Sequence, residues 1–444
     1  GLRALLACNA GNRPNNSQPM KTRLLIAFLA GSLGGAALHA LDWNQYRGLQ
    51  SDNKTTETLA STDFLGKSDS LKWKAPTPLG FSSFAVVGSK AYTMVAEEDE
   101  DGLMREVCIA LDLQTGKRAW SAWLTVMDYK SGGGNAGTSD NKGGDGPRST
   151  PSVFGDKVWV YDSDMNLHCL SAKDGKSLWK VRVLKDHGGA NIKWKNASAP
   201  LVVDDLVIVY GGGQGQSFLA FDRESGKLAW KSGSETATHA TPITATIHGV
   251  RQVIFFCASG LVSVDPKSGA ELWRQKFPFK VSTAASPVVA GDLVYCSAGY
   301  GVGAGLYRIV KKGNRMSSEE VWRKANDMFN HWSTPIYHEG HLYGMFGFKK
   351  YGQGPLQCIE LESGEIKWSQ DGYGPGNVIL SGDKLIALSD IGELAVVAAT
   401  PSKYTELSRS KVITGKCWST PVFSNGLVLA RSTKEAICLQ VGSR

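Results

Sequence analysis

The sequence predicts an all-β chain, an eight-bladed β-propeller of four-stranded antiparallel blades, and three observations predict it. A phrase made of an acidic residue, Ser/Thr-Gly-Lys or a variant, and a tryptophan recurs at Asp112 to Trp120, Asp174 to Trp179, Asp222 to Trp230, Asp265 to Trp273 and Glu360 to Trp368. A second phrase, a small polar residue followed by proline and an apolar run, falls between the copies. It stands at Pro151, Pro200, Pro242, Pro287, Pro335 and Pro421, at intervals of 49, 42, 45, 48 and 86 residues. The last interval is two periods of 43, with the apolar run Val378-Ile379-Leu380 at its midpoint. A fixed period in the forties is the signature of a propeller. Beyond the first 40 residues no stretch sustains a 3.6-residue apolar period, so helices should be scarce.

The third copy justifies the strands one by one. Leu201-Val202-Val203, Leu206 to Tyr210, Ser217 to Phe221 and Leu228 to Lys231 are short runs rich in β-branched and aromatic residues. Asp204-Asp205, Gly211-Gly212-Gly213 and Arg223-Glu224-Ser225-Gly226 separate them as turns. In the last of these the Asp accepts from backbone amides ahead of it and the Gly supplies a positive φ. The tryptophan that follows lies on the outer strand, where its recurrence in Trp73, Trp120, Trp179, Trp230, Trp273, Trp322 and Trp368 points to packing between blades.

Blades start near Ser83, Pro151, Pro200, Pro242, Pro287, Pro335, Val378 and Pro421. The eighth lacks an outer strand, and Leu71-Lys72-Trp73-Lys74 has one to give, so the ring should close by pairing the N-terminal strand with the C-terminal blade. Copies five and seven are degenerate, with an irregular turn before Trp322 and with Leu407 where tryptophan is expected.

Met20-Lys21-Thr22-Arg23, an apolar run from Leu24 to Ala30 and a small-residue stretch to Ala40 read as a signal peptide over 20–40. Residues 1–19 then read as upstream read-through, and 41–444 as a single propeller domain. The expected location is exported, periplasmic or envelope-associated. Residues 1–40 carry four basic and no acidic side chains, so without them the net charge falls from +8 to +4. The remaining charges are scattered, which argues against nucleic acid as a partner. Of the seven remaining cysteines, Cys108, Cys169, Cys358 and Cys438 share one position in the third strand, too far apart around a ring to pair. With Cys257, Cys296 and Cys417 they read as small buried hydrophobes, without Cys-x-x-Cys metal spacing.

Three local patterns carry no chemistry. Gly299 to Ala304 fits a dinucleotide pattern but runs into another strand, so no helix N-terminus awaits a phosphate. Glu97 to Gly102 starts like a calcium loop but has Cys108 at the twelfth position. His338 and His341 fall in a turn, where no helix brings them together.

The phrase Ala/Val-x-Asp-x-x-Ser/Thr-Gly-Lys-x-x-Trp, with Ser/Thr-x-Pro-x-Val before each first strand, resembles the PQQ-like β-propeller repeat, over about residues 42–442. Asp42-Trp43-Asn44-Gln45-Tyr46-Arg47-Gly48 is similar to the opening of exported bacterial members, and Lys416 to Pro421 and Ala298 to Gly301 are also similar to that subgroup. The resemblance implies either a non-catalytic BamB-like scaffold or a quinoprotein dehydrogenase acting on an alcohol or sugar with PQQ and calcium. Such dehydrogenases carry two adjacent cysteines, a carboxylate and an amide for calcium, and an Asp base; here no cysteines are adjacent and no such trio can be placed. The expectation is therefore a binding propeller with no cofactor, acting as a monomer on envelope proteins or a polar small molecule or saccharide. Its candidate channel residues, just before the first strands, are Arg148, Asn196, His239, Asn330, His331, Trp332, Asn377, Lys416 and Trp418. Two irregular segments, Met127 to Arg148 and Lys185 to Lys195, lie where they could cover one face of the channel.

Overall fold

In the computed structural model, residues 42–127, 144–326, 328–347 and 352–441 are described; the candidate signal peptide and most of the Met127 to Arg148 connection lie outside them. Every copy of the repeat becomes one antiparallel sheet, and eight sheets stand in a ring as a β-propeller. Blade 1 runs through Ala85–Val87, Lys90–Glu98, Met104–Asp112 and Arg118–Val126, from channel to rim. Blades 2 to 6 span 152–182, 201–232, 243–276, 288–324 and 336–370. Blade 7 is 377–411, and blade 8 is 422–440 with Leu71–Pro76 as its outer strand. That strand pairs antiparallel with Glu435–Gln440, so the ring closes as the sequence predicts. Helix among the described residues amounts to Val183–Asp186 and one 3-10 turn at Ser68–Ser70.

The first phrase turns out to be the two halves of one joint. Trp120 Nε1 donates to the Ala172 carbonyl in the turn of the next blade (3.1 Å), and a Cβ on Gly175 of that turn would lie 2.6 Å from the Trp120 ring. Trp73, Trp179 and Trp230 repeat the bond with the carbonyls of Leu113, Arg223 and Pro266, and cover Gly116, Gly226 and Gly269. Trp322 and Trp368 donate to Leu361 and Thr400. Trp273 departs from the pattern, because blade 5 replaces the short turn by the long hairpin Gly303–Lys312 and Arg315–Lys324. Its Nε1 turns back to Gln252 Oε1 of its own blade (2.5 Å). Between blades 7 and 8 both halves are missing, since Leu407 replaces the tryptophan and the outer strand of blade 8 comes from elsewhere in the chain. Leu59 and Phe64 join that core cluster instead.

The second phrase forms an inner belt. Ser83, Ala199 and Ser286 donate backbone N–H groups to the hydroxyls of Thr150, Thr241 and Thr334 in the adjoining blade (2.9, 2.9 and 3.0 Å). Ser152 and Ser286 hydroxyls donate to the carbonyls of Pro200 and Thr241. All seven described cysteines are free and buried.

The N-terminal segment fills the channel. Trp43 exchanges two backbone bonds with Val86 of blade 1 (2.8 Å each), and the Asn44 carbonyl accepts from Val153 of blade 2 (2.7 Å). Asn53 Nδ2 reaches Thr334 of blade 6 (3.4 Å), and Lys54–Thr55 pairs parallel with Leu380–Ser381 of blade 7. Glu57 then takes the amides of Asn425 and Gly426 on blade 8 (2.6 and 2.7 Å). The path turns tightly, with Arg47, Gly48, Ser51 and Asn53 all at positive φ.

Candidate functional site

Where the inner strands begin, the channel opens into a mouth with a cavity volume of about 90 Å³. Tyr46 from the plug is among its walls, with Thr150, Thr241 and Thr420 of the inner belt. Phe81, Trp332 and Trp418 give it aromatic surface, and Arg148 and His239 give it nitrogen. Trp332 and Trp418 stack at 4.0 Å between ring centres, and Phe81 packs on Trp418 at 5.0 Å. The Lys416 ammonium stands 4.7 Å over the Trp418 ring and 3.5 Å from the carboxylate of Asp145. Trp418 Nε1 is buried and meets no acceptor among the described residues.

The nine candidate residues separate by role. Arg148, His239, Trp332 and Trp418 line the mouth, and Lys416 touches it through Trp418. Asn377 acts through its neighbour, donating from Nδ2 to the Trp418 carbonyl (2.8 Å). His331 packs edge-on to Tyr300 and beside Trp332 (4.9 and 5.3 Å). Asn196 and Asn330 are buried braces: the first donates to Tyr161, Asp162 and Ser198 carbonyls, the second to the Met345 carbonyl while accepting from Tyr295. The Lys185 to Lys195 segment borders the mouth, because Arg148 donates to the Trp194 carbonyl (2.9 Å) and His239 Nε2 meets the Lys195 carbonyl (2.8 Å). Sequence reasoning missed Phe81, Tyr46 and the threonines; the Asp42 to Gly48 phrase was the available signal for Tyr46.

Charge in the mouth comes from Arg148 and Lys416. Burial, and then the Arg148 charge, press the His239 imidazole down to about 3, and burial alone brings His331 to about 4. Both rings stay neutral at physiological pH. Burial raises the Tyr46 phenol, so it remains protonated. No carboxylate or thiol stands among the described lining residues, and Asp145 at the rim is matched by Lys416. No group of three His, Cys, Asp or Glu side chains among the described residues is arranged to hold a metal ion. Among the described residues the donors do not fit a calcium–quinone pair: the cysteines are dispersed over separate strands, and the carboxylate nearest the mouth, Asp145, faces the Lys416 ammonium.

A second titratable cluster lies away from the mouth, between blades 1 and 2. Glu106, fully buried, accepts from Ser163 N–H (3.0 Å), and Asp162 bonds His168 Nε2 (2.9 Å). Burial first, and the Asp162 charge second, push the Glu106 carboxyl up to about 8 from 4.5. The folded chain thus keeps a proton over that window that the unfolded chain releases, and this contribution to stability is lost as pH rises from about 4.5 through 8. Glu106→Gln is expected to flatten that decline and to gain about 1–3 kcal/mol at pH 8, with little gain at pH 4. Thermal melts across pH 4–9 check it; equal pH profiles for the two proteins would refute it.

Fold and mouth together define a ring-closed propeller of PQQ-like repeats with a plugged channel. The chain belongs to the family described as outer membrane protein assembly factor BamB, which matches residues 103–370. Among solved structures it is similar to BamB from Moraxella catarrhalis, with 14% identity and TM-score 0.54 over 84% of this chain and 99% of that one. It is also similar to the quinohemoprotein alcohol dehydrogenase from Comamonas testosteroni, with 13% identity and TM-score 0.63 over 92% of this chain and 82% of that one. At those identities the likeness is one of fold. Quinohemoprotein alcohol dehydrogenase ADH IIB of Pseudomonas putida is 33% identical over 127 residues, which are 28% of this chain and 17% of that relative's length. The chain thus matches less than a fifth of that relative.

Proposed function

We propose that this protein is an exported, non-catalytic binding module of the bacterial cell envelope that takes a polar ligand, or a polar segment of a partner protein, at the channel mouth. The observation that carries the reading is the composition of the mouth: stacked indoles, an arginine and a lysine over a plugged channel, with no nucleophile–base pair among the described residues. Aromatic faces beside cations suit sugars and acidic groups, and the unmatched Trp418 Nε1 is a donor that a ligand oxygen would satisfy. Membership of a BamB-described family supports a scaffolding role.

Titrating the protein with trigalacturonate and with maltotriose, read by tryptophan fluorescence, tests the site. Saturable quenching by at least one of them is expected, weakened about tenfold in Trp418→Ala, the loss of one stacking and donor contact. In parallel, PQQ with calcium, an alcohol panel and an electron-accepting dye should give no substrate-dependent dye reduction. Turnover there would replace the binding reading by a dehydrogenase.

A further inference from the structure

Tyr46 and Arg47 are adjacent in sequence and line opposite compartments. Tyr46 lines the mouth, whereas Arg47 lines a second cavity of about 170 Å³ further along the channel, with Asp52, Lys54 and Tyr337. The inner strands of blades 4 and 5, Ile243–Ile247 and Val288–Ala290, and Gln50 and Ser51 of the plug supply further wall. Arg47 is 2% exposed. Its Nη1 reaches the Pro287 carbonyl only at 3.5 Å, and its Nε, also buried, meets no acceptor among the described residues. A guanidinium desolvated this far with an open donor is costly until an acceptor arrives. Lys54 holds its ammonium at the same cavity, 5.6 Å over the Tyr337 ring. Asp52 spends one oxygen on the Lys54 backbone N–H (3.1 Å) and forms no ion pair with Arg47 among the described residues. Two cations against one acid leave a single positive charge.

We infer that this inner cavity is a carboxylate-binding site, in which the Arg47 fork receives one small carboxylate group and the Lys54 ammonium assists. A planar fork matches a planar carboxylate, and a net charge of one suits a monoanion better than a phosphate dianion. Burial lowers the Arg47 guanidinium to about 10, which leaves it charged at neutral pH. The group arrives either as a free small acid or as the end of a peptide chain; the volume admits a few heavy atoms of either.

The test is calorimetric titration of the full chain with sodium acetate against matched sodium chloride, with acetamide as the uncharged isostere. Saturable heat with acetate and none with acetamide is expected. Lys54→Gln should weaken acetate about tenfold. Arg47→Met should abolish its binding; if that variant does not fold, Lys54→Gln and the acetamide comparison still decide. Lys416→Gln, at the mouth, should leave acetate binding intact, which separates this site from the proposed ligand site. Tri-alanine with a free C-terminus binding more tightly than acetate, and its amide not at all, identifies a chain end; acetate binding with no gain from tri-alanine identifies a free acid. Equal heats for acetate and acetamide, or acetate binding lost in Lys416→Gln and kept in Lys54→Gln, would overturn the inference.

Discussion

A chain that begins at residue 77 is expected to give no folded monomer, whereas one that begins at residue 56 folds with a lowered melting temperature. The shorter chain loses Leu71–Pro76, leaving the Glu435–Gln440 edge of blade 8 unpaired. It also loses Trp73, 6% exposed and bonded to Leu113 of blade 1. Truncating one buried tryptophan costs about 3–5 kcal/mol, against a net stability of roughly 5–15 kcal/mol for a whole domain. Removing the ring of Trp73 together with a full strand of hydrogen bonds therefore exceeds the reserve, and the exposed edge favours aggregation. The longer chain keeps the closing strand and sacrifices only the plug, whose place water can take. Size-exclusion chromatography and thermal melts of the two chains separate closure from plugging. Monomeric, cooperative unfolding of the chain from 77 would show that the ring does not depend on its closing strand.

The second large effect is at a single glycine. Gly175→Ala is expected to cost more than 3 kcal/mol and Gly155→Ala about 1 kcal/mol, although both sit in hairpin turns of blade 2 at similar φ, +74° and +60°. A Cβ on Gly155 meets nothing within 4 Å, but on Gly175 it would stand 2.6 Å from the Trp120 ring. The left-handed backbone explains the smaller cost, and displacement of a buried tryptophan explains the rest. Denaturant melts of the two variants give the difference directly. Equal losses would mean that the recurrent glycine serves only its turn.

The contrast shows where the sequence was legible. Blade starts were readable because each combines a proline with a β-branched run, and the closing strand because blade 8 visibly lacked one. The glycine of the phrase read as a turn residue, yet its tighter constraint comes from a tryptophan about one period earlier, a contact that no local pattern displays. The plug was opaque for a related reason. Trp43 to Asn53 has neither strand alternation nor helical period, and its bonds run to blades distant in sequence, so only its resemblance to other openings was visible. At the mouth, position before a first strand singled out Arg148 and Trp418 but also Asn196 and Asn330, which the structure uses as braces. Spacing tells which residues reach a strand end; it does not tell which way they face.

The closing strand also sets an order of events. Glu57 waits for amides 368 and 369 positions further along the chain, and Ser408 bonds back to Thr62 across 346 positions. On a ribosome emitting residues in sequence, Trp43 and Asn44 can pair early with blades 1 and 2, whereas the Glu57 carboxylate has no amide to take until Asn425 and Gly426 have emerged. Blades 1 to 7 can form from neighbouring residues, but the ring cannot lock before Glu435–Gln440 has been made. Until then Leu71–Pro76 stands without its partner strand, an open form that a folding helper or a translocation channel would meet before the native ring exists.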